Sequence, residues 1–448
     1  MSSKIDRRDL LKLFGLAGIG ALGSAASFFS SDADAAGQHG GPYWIMLNAG
    51  GGWDPAYICD PKIDPTMNRL SSEVAYAGNL PYSPIDFDPT AFGLTVPAEG
   101  DDAPFPISNK TFFEKYQDRL LVINGINTQT NSHTNGSRTM WSGRIPEGYP
   151  SLAALIAGAL GADKPMAFLS SGGYSRTMNV VPLTRVGSSS STLKRIVYPN
   201  RINVDKPENG GYHEEAAYES IAKYQKQRLA AQRAASHLPV VSQSMDALYL
   251  ARQATADLQQ FVPPESVISV PGISDLQTVV RSAQLALAAF KSGVAISANL
   301  TIGGFDTHAN HDTAHVLKVA KLLATIDYIA QESQRLGLAD KMNVVVASDF
   351  GRGPFFNGTS AGSGKNHWPI TSVMMMGPSF PGNKVIGETT AEHQQKLVDP
   401  QTLKVSTSSG IGLQPEHLHR ALRRAAGIDN SDLTNNFPLS GEDLDLFG

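Results

Sequence analysis

The segment Tyr43-Trp-Ile-Met-Leu-Asn-Ala-Gly50-Gly51-Gly52-Trp53-Asp54 joins an apolar run to three glycines and a carboxylate. The apolar run has the length and residue types of a buried β-strand, and the glycines allow a sharp turn where it ends. In open α/β sheets, ligands bind beyond the carboxyl ends of the strands. Asp54 is therefore a candidate ligand-binding residue, and an Asx turn or helix N-cap before Pro55 is the structural alternative.

Similar apolar runs recur along the chain and alternate with stretches of helical periodicity. We predict further strands at 120–123, 166–169, 295–302, 344–347 and 373–376, and helices at 151–160, 275–291 and 315–336. Strands that alternate with helices predict an α/β fold with a mainly parallel sheet and helices on both faces. Two long polar helices, at 214–235 and 243–260, interrupt this alternation and predict a helical insertion at about residues 212–261.

The composition limits the functions that the chain can have. Its 448 residues include 37 Lys and Arg against 41 Asp and Glu, a formal net charge of −4, and this balance argues against nucleic-acid binding. Hydrophobic residues make up 41% of the chain, which is enough for a large core. The one cysteine, Cys59, excludes an internal disulfide and a metal site built from cysteines.

The N-terminal residues resemble a twin-arginine export signal. Arg7 and Arg8 precede an apolar run at 13–29 and the small-residue pattern Ala33-Asp34-Ala35. We expect residues 1–35 to be removed, residues 36–448 to form one α/β domain, and the protein to be periplasmic or secreted after contact with the twin-arginine translocase. The run at 13–29 falls short of the roughly 20 apolar residues that span a bilayer, which argues against a retained anchor, and no later segment is predicted to cross a membrane.

Hydroxyl groups are concentrated after the predicted strand at 120–123. The stretch Asn127-Thr-Gln-Thr130-Asn-Ser132-His133-Thr134-Asn-Gly-Ser137-Arg138 leads from that strand into a helix. Ser132 at a helix start is a candidate nucleophile near bound phosphate or sulfate, and Arg138 is a candidate for steadying an oxyanion. Thr130, Thr134 and Ser137 are the competing hydroxyls, and a loop with local capping bonds is the structural alternative.

Metal-ligand residues are concentrated after the strand at 295–302. The stretch Gly303-Gly-Phe-Asp306-Thr-His308-Ala-Asn-His311-Asp312 offers carboxylate oxygens and imidazole nitrogens within a few residues. This ligand mixture is typical of Zn²⁺ or Mn²⁺ sites. Asp306 and His308 are the leading candidates, His311 is a ligand or a supporting residue, and chance clustering is the alternative. His315 is expected on the following helix, outside the site.

Two further polar stretches follow the strand at 344–347. Ser348-Asp349-Phe350-Gly-Arg352 supplies a carboxylate and an arginine that could clamp an oxyanion, with a salt bridge between the two as the structural alternative. Lys365-Asn-His367-Trp-Pro369 then places another histidine before the strand at 373–376. Carboxylates and histidines from several strand ends, with a hydroxyl and an arginine, match a two-metal ester-cleaving site.

These motifs, in this order, resemble a secreted, twin-arginine-exported family defined as the domain of unknown function numbered fifteen-oh-one. That family is placed in the alkaline phosphatase and sulfatase superfamily, so the resemblance implies an alkaline phosphatase-like three-layer sandwich. It also implies Asp54 and Asp349 on one ion, with Ser132 at the nucleophile position. For the other ion it implies Asp306, His308 and His367, and His311 could replace or supplement His308.

The chain departs from the superfamily pattern in one spacing and at two positions. The superfamily's Asp-x-x-x-His spacing is shortened to Asp306-x-His308, which is why His311 is an alternative ligand. Asp349 stands where the family usually has Glu, and Phe350 stands where a phosphatase of the superfamily has His. The Cys/Ser-x-Pro-x-Arg motif of sulfatases is missing from the sequence, which argues against a formylglycine mechanism.

The leading interpretation is an exported hydrolase of phosphate or sulfate esters with two divalent ions, Zn²⁺ or Mn²⁺ first and Mg²⁺ or Ca²⁺ as alternatives. A non-catalytic exported protein that keeps the fold for metal binding or surface assembly is the second interpretation. Transferase or mutase chemistry on envelope glycans is the third.

Overall fold

The strands and helices of the protein follow the predicted alternation. The computed structural model describes residues 39–87, 108–187, 194, 198–235 and 274–448. In chain order the strands are β1 (Tyr43–Ala49), β2 (Ala75–Ala77), β3 (Leu80–Tyr82), β4 (Leu120–Asn127), β5 (Phe168–Ser170), β6 (Leu183–Arg185), β7 (Ser297–Ile302), β8 (Met342–Ser348), β9 (Gly351–Phe356), β10 (Lys365–Trp368), β11 (Ile370–Met376), β12 (Lys384–Ile386), β13 (Leu397–Val398) and β14 (Val405–Ser406). The helices are α1 (Asn109–Tyr116), α2 (His133–Ser142), α3 (Leu152–Leu160), α4 (Glu215–Ala235), α5 (Ser274–Lys291), α6 (His311–Arg335), α7 (Pro415–Ala425) and α8 (Asp432–Asn435).

Each of the six predicted strands is confirmed, and so are the helices predicted at 151–160, 275–291 and 315–336. Helix α4 is the first of the two polar helices predicted for the insertion. The second, at 243–260, and the predicted signal peptide, at 1–35, lie outside the described residues. No helix in the described ranges is both long enough and apolar enough to span a membrane.

An eight-stranded sheet with the order β12-β4-β11-β8-β1-β7-β5-β6 forms the centre of the fold. Strand β11 runs antiparallel to both of its neighbours, β4 and β8, and the other pairings in the sheet are parallel. Strands β1 and β8 are buried along their whole length. Continuous burial of this kind is expected for parallel strands covered on both faces, and it explains the apolar runs at 43–47 and 344–347.

Helices cover both faces of the sheet. The ring of Tyr43 in β1 stacks on Phe290 of α5, with ring centroids 5.1 Å apart. The next residue, Trp44, is the register partner of Ser297 in β7, and the Ser297 hydroxyl donates to the carbonyl of Ala153 in α3 at 2.7 Å. Because successive residues of a strand point to opposite faces, α5 and α3 lie on opposite sides of the sheet. The fold is therefore the predicted three-layer α/β sandwich.

The carboxyl ends of four strands bring the polar motifs to one edge of the sheet. Strands β1, β7 and β8 are parallel neighbours, and β4 runs in the same direction beyond the antiparallel β11. The hairpin of β9 and β10 follows β8 and sets His367 opposite Arg352. The motifs that follow these strands therefore meet at this edge.

Candidate metal centre

His133, Asp306 and His367 converge at the carboxyl edge of the sheet. Each side chain offers one ligand atom, and these atoms all lie within 4.8 Å of one another. Nε2 of His367 is 3.0 Å from Oδ1 of Asp306, and Nε2 of His133 is 3.5 Å from Oδ2 of Asp306. Tetrahedral ligands of zinc, each 2.0–2.1 Å from the ion, are about 3.3 Å apart. The spacing of these donor atoms therefore fits one ion.

His308 lies next to two of these three donors. Its Nε2 atom is 3.0 Å from Nε2 of His367 and 3.0 Å from Oδ1 of Asp306. His308 and Asp306 are both exposed, so the centre opens to solvent. Asp306, His308 and His367, the three residues predicted to share an ion, are thus brought together as expected.

Two hydrogen bonds orient the imidazole rings toward this point. Nδ1 of His367 lies 2.8 Å from the carbonyl of Asn131, so that bond occupies Nδ1 and leaves Nε2 as the ring nitrogen directed at the centre. Nδ1 of His133 lies 2.7 Å from the carboxylate of Asp349. Supporting bonds of this kind fix the tautomer and raise the basicity of a metal-binding histidine.

Asp349 supports His133 in the structure, whereas the resemblance implied that Asp349 and Asp54 bind one ion together. Its buried carboxylate also accepts from the backbone N–H of Gly51, at 3.1 and 3.2 Å. The glycine turn after β1 therefore contributes to the site through its amide. Phe350, next in the chain, packs against both imidazoles, with its ring centroid 4.8 Å from that of His133 and 4.5 Å from that of His367.

Arg352 is fully buried, which differs from the expected position of an oxyanion clamp. Its guanidinium donates to the carbonyls of Gly51, Gly52 and Lys365 and to Oδ1 of Asp306, the last at 2.6 Å. Burial opposes ionisation of Asp306, but the bonds from Arg352 and His367 outweigh it and lower the pKa of that carboxyl to about 2. Arg352 therefore positions a charged Asp306. The salt bridge of Arg352 is with Asp306, whereas the structural alternative in the sequence paired Arg352 with Asp349.

Arg138, the second candidate for an oxyanion contact, is held by the segment that follows its own helix. It donates to the carbonyl of Ile145 at 2.7 Å and to the carboxylate of Glu147 at 2.8 Å. These bonds direct the guanidinium to that segment, which differs from the expected role in the site.

Ser132 is exposed and immediately precedes His133, the first residue of α2. It occupies the N-cap position, yet its side chain makes no capping hydrogen bond. The hydroxyl of Thr130 accepts from the backbone N–H of Ser132 at 3.1 Å, so that hydroxyl is engaged locally. Ser132 is therefore the chain neighbour of the candidate ligand His133 and has an exposed side chain without a capping bond.

Asp54 and His311 lie together in a buried cluster, with a lysine as their partner. Oδ2 of Asp54 is 2.6 Å from Nζ of Lys365 and 3.0 Å from Nε2 of His311. Burial opposes ionisation of Asp54, but the Lys365 ammonium and His311 hold its pKa far below the usual range. His315, predicted to lie outside the site, accepts from the Asp54 backbone N–H at 2.8 Å. Asp54 also accepts from the N–H of Ala56, which is the Asx cap named as the structural alternative.

Neither His133 nor Lys365 was predicted from the sequence to have a role in the site. His133 follows β4 at the same edge as the other motifs, and this position was the signal that could have identified it as a ligand. Lys365 offered no comparable signal, because nothing in its local sequence indicates that an ammonium 311 residues from Asp54 reaches that carboxylate.

Helix α2 approaches Asp349 so closely that only glycine fits at position 136. A Cβ atom at Gly136 would lie 2.4 Å from the carbonyl oxygen of Asp349. Although alanine is the better helix former, we expect Gly136→Ala to lower the free energy of unfolding by about 1–3 kcal/mol through overpacking. Chemical denaturation measures this loss, and Gly303→Ala, where a Cβ meets nothing within 4 Å, is the matched control. Equal stability of the two variants would contradict the close approach.

The fold and the centre define an α/β protein with a histidine- and aspartate-rich site at the carboxyl edge of its sheet. The chain belongs to the family described as protein of unknown function (DUF1501), whose model matches residues 44–438. This confirms the family that the motifs resemble. Comparison with curated proteins finds no match.

Several solved structures are similar to the chain at low sequence identity. One is Ps i-CgsB in complex with k-i-k-neocarrahexaose, with 9% identity, a TM-score of 0.40, and 91% of this chain and 75% of that chain covered. Another is the lipoteichoic acid synthase LtaP from Listeria monocytogenes, with 11% identity, a TM-score of 0.31 and 88% and 73% coverage. A third is the alkaline phosphatase from the Antarctic bacterium TAB5, with 10% identity, a TM-score of 0.29 and 77% and 94% coverage.

Proposed function

We propose that the protein is an exported hydrolase of phosphate or sulfate esters that depends on a divalent metal ion. The observation that carries the proposal is the convergence of His133, Asp306 and His367 at one point. Ser132, which directly precedes His133, makes no side-chain capping bond. The resemblance of the motifs to the alkaline phosphatase and sulfatase superfamily supports the reaction class.

The residues of the centre suit a divalent ion. Asp306, His133, His308 and His367 would hold it, and one carboxylate with three imidazoles favours Zn²⁺ or Mn²⁺ over Mg²⁺ or Ca²⁺. A bound ion would lower the pKa of an attacking hydroxyl and neutralise the charge that develops on the ester oxygens.

The remaining chemistry falls to residues of the chain itself. Ser132 would attack the phosphorus or sulfur atom as its hydroxyl loses a proton, and the ester's alcohol would leave as the new bond forms. Water would then cleave the serine ester and release phosphate or sulfate. Ser132 is the candidate because its side chain is exposed and makes no capping bond. The first backbone N–H groups of α2 would face the anionic ester, as the free amides and the dipole of a helix N-terminus favour negative charge. Phe350 and Arg352 would hold the ligands in place from the buried side.

The test is metal content and turnover measured on the same preparation. The mature protein is purified without chelator, incubated with Zn²⁺, Mn²⁺, Mg²⁺ or Ca²⁺, and assayed by elemental mass spectrometry and with phosphomonoesters, phosphodiesters and sulfate esters. We expect bound metal, and turnover of one ester class that rises in proportion to it. A protein that takes up none of the four ions, or whose turnover is the same without metal, would disprove the proposal.

A non-catalytic metal-binding protein remains the second candidate function. The burial of Arg352 favours it, because the predicted oxyanion clamp is closed to solvent. The same experiment separates the two functions, since this candidate predicts bound metal without turnover of any ester class.

Export is tested separately from catalysis. Residues 1–35 lie outside the described residues, and the proposal rests on Arg7 and Arg8 in the sequence. Arg7→Lys combined with Arg8→Lys keeps the charge but removes the twin arginine, so we expect the precursor to accumulate in the cytoplasm. Cell fractionation and immunoblotting measure the distribution, and Lys4→Arg combined with Lys12→Arg is the charge-matched control. Undiminished export of the Arg7/Arg8 variant would contradict a twin-arginine route.

A further inference from the structure

The second ion implied for Asp54 does not fit the residues around it. Asp54 is fully buried, and its Oδ2 atom already faces Nζ of Lys365 at 2.6 Å and Nε2 of His311 at 3.0 Å. An ion bound to this carboxylate would lie against the ammonium of Lys365, and like charges repel strongly at such separations in a buried site. Asp349, the other ligand implied for this ion, is already engaged with the Gly51 amide and with His133.

Lys365 has the surroundings of a fixed, buried cation. Its side chain is fully buried, and Nζ lies 5.1 Å from the ring centroid of Tyr57 and 5.2 Å from that of Phe356. Aromatic faces attract a cation through their negative quadrupole. The ammonium is therefore held by one carboxylate and two rings, away from water.

Lys365 is also connected to the centre through its backbone. It begins β10, the strand that carries His367 two residues later. Its carbonyl accepts from Nη1 of Arg352 at 3.1 Å, and Nη2 of the same guanidinium donates to Asp306. An ion pair that fixes Lys365 against Asp54 thus fixes the start of the strand that positions a metal ligand.

We propose that the centre holds one divalent ion and that the buried ammonium of Lys365 neutralises Asp54 in place of a second ion. The inference rests on the proposed function for the first ion only. Lys365 is accordingly a positioning residue. A covalently attached cation cannot be removed by a chelator, so chelation should strip the exposed centre and leave the Asp54 cluster intact.

Elemental mass spectrometry after incubation with Zn²⁺ or Mn²⁺ and gel filtration tests the stoichiometry. We expect one ion per chain in the wild type and one in Asp54→Asn/Lys365→Met, which removes both buried charges together. Asp306→Ala/His367→Ala should bind none. Two ions in the wild type, with one lost in Asp54→Asn/Lys365→Met, would overturn the inference while leaving the proposed function in place. No ion in the wild type would reject both.

Thermal unfolding of Lys365→Ala, with and without metal, is a second measurement. Removing a lysine that is only structural would not change how far metal raises the melting temperature. This variant leaves Asp54 and His311 facing a space without a cation, so we expect Zn²⁺ or Mn²⁺ to raise its melting temperature by more than it raises that of the wild type. The metal content of this variant should rise above one ion per chain. An equal metal-induced shift in the two proteins would contradict the assignment. If Lys365→Ala does not fold, the number of ions bound by Asp54→Asn/Lys365→Met still tests the inference.

Discussion

Asp306→Ala combined with His367→Ala is expected to abolish metal binding and, with it, ester turnover. Oδ1 of Asp306 and Nε2 of His367 lie 3.0 Å apart and are two of the donor atoms at the centre. Loss of a single supporting partner of a metal ligand typically costs 10–100-fold in metal affinity, so loss of two ligands should leave no ion bound after gel filtration. Elemental mass spectrometry and ester assays on the same sample measure both effects.

The variant must be separated from a general loss of structure. His213→Ala combined with Asp429→Ala removes one histidine and one aspartate, both exposed, from outside the centre, and it should keep both metal and turnover. Circular dichroism should show the same helix content in both double variants, because Asp306 is exposed and His367 is only partly buried. A folded Asp306/His367 variant that still turns over ester without metal would disprove the metal-dependent mechanism.

Much of the site could be predicted from the sequence because it depends on one property of parallel sheets. Segments that follow β7 and β8 must reach the same edge, whatever the details of packing. Asp306 and Asp349 were placed together on this ground, and the hairpin of β9 and β10 returns His367 to the same place. Short-range patterns thus predicted which chemical groups meet.

The partner of each group could not be predicted in the same way. A carboxylate after a strand can face an ion, an amide or an ammonium, and the choice depends on pairings between distant segments. Asp54 meets Lys365, and Asp349 meets the amide of Gly51. Arg352 was placed in contact with substrate, but in β9 it is buried with its guanidinium on backbone carbonyls and Asp306. These outcomes depend on tertiary packing, which a local motif does not encode.

Ser132→Ala is expected to lower ester turnover by at least about 10³-fold, the scale of loss when an enzyme nucleophile is removed. Metal content should not change, because Ser132 is outside the donor set. The free energy of unfolding should not change either. Replacing an N-cap serine by alanine usually costs about 1 kcal/mol, but the Ser132 side chain makes no capping bond that could be lost. Steady-state assays, elemental analysis and thermal unfolding measure the three quantities.

The neighbouring hydroxyls provide the controls for this assignment. Thr134→Val and Ser137→Ala alter the same turn of α2, where Thr134 is exposed and Ser137 is partly buried, and both variants should keep most of the turnover. If one of them loses turnover and Ser132→Ala does not, the nucleophile has been assigned to the wrong hydroxyl. If all three keep full turnover, the attacking oxygen comes from Thr130 or from water, and Thr130→Val then separates these two sources. A non-catalytic protein predicts a third pattern, in which bound metal is present and neither the wild type nor any variant turns over ester.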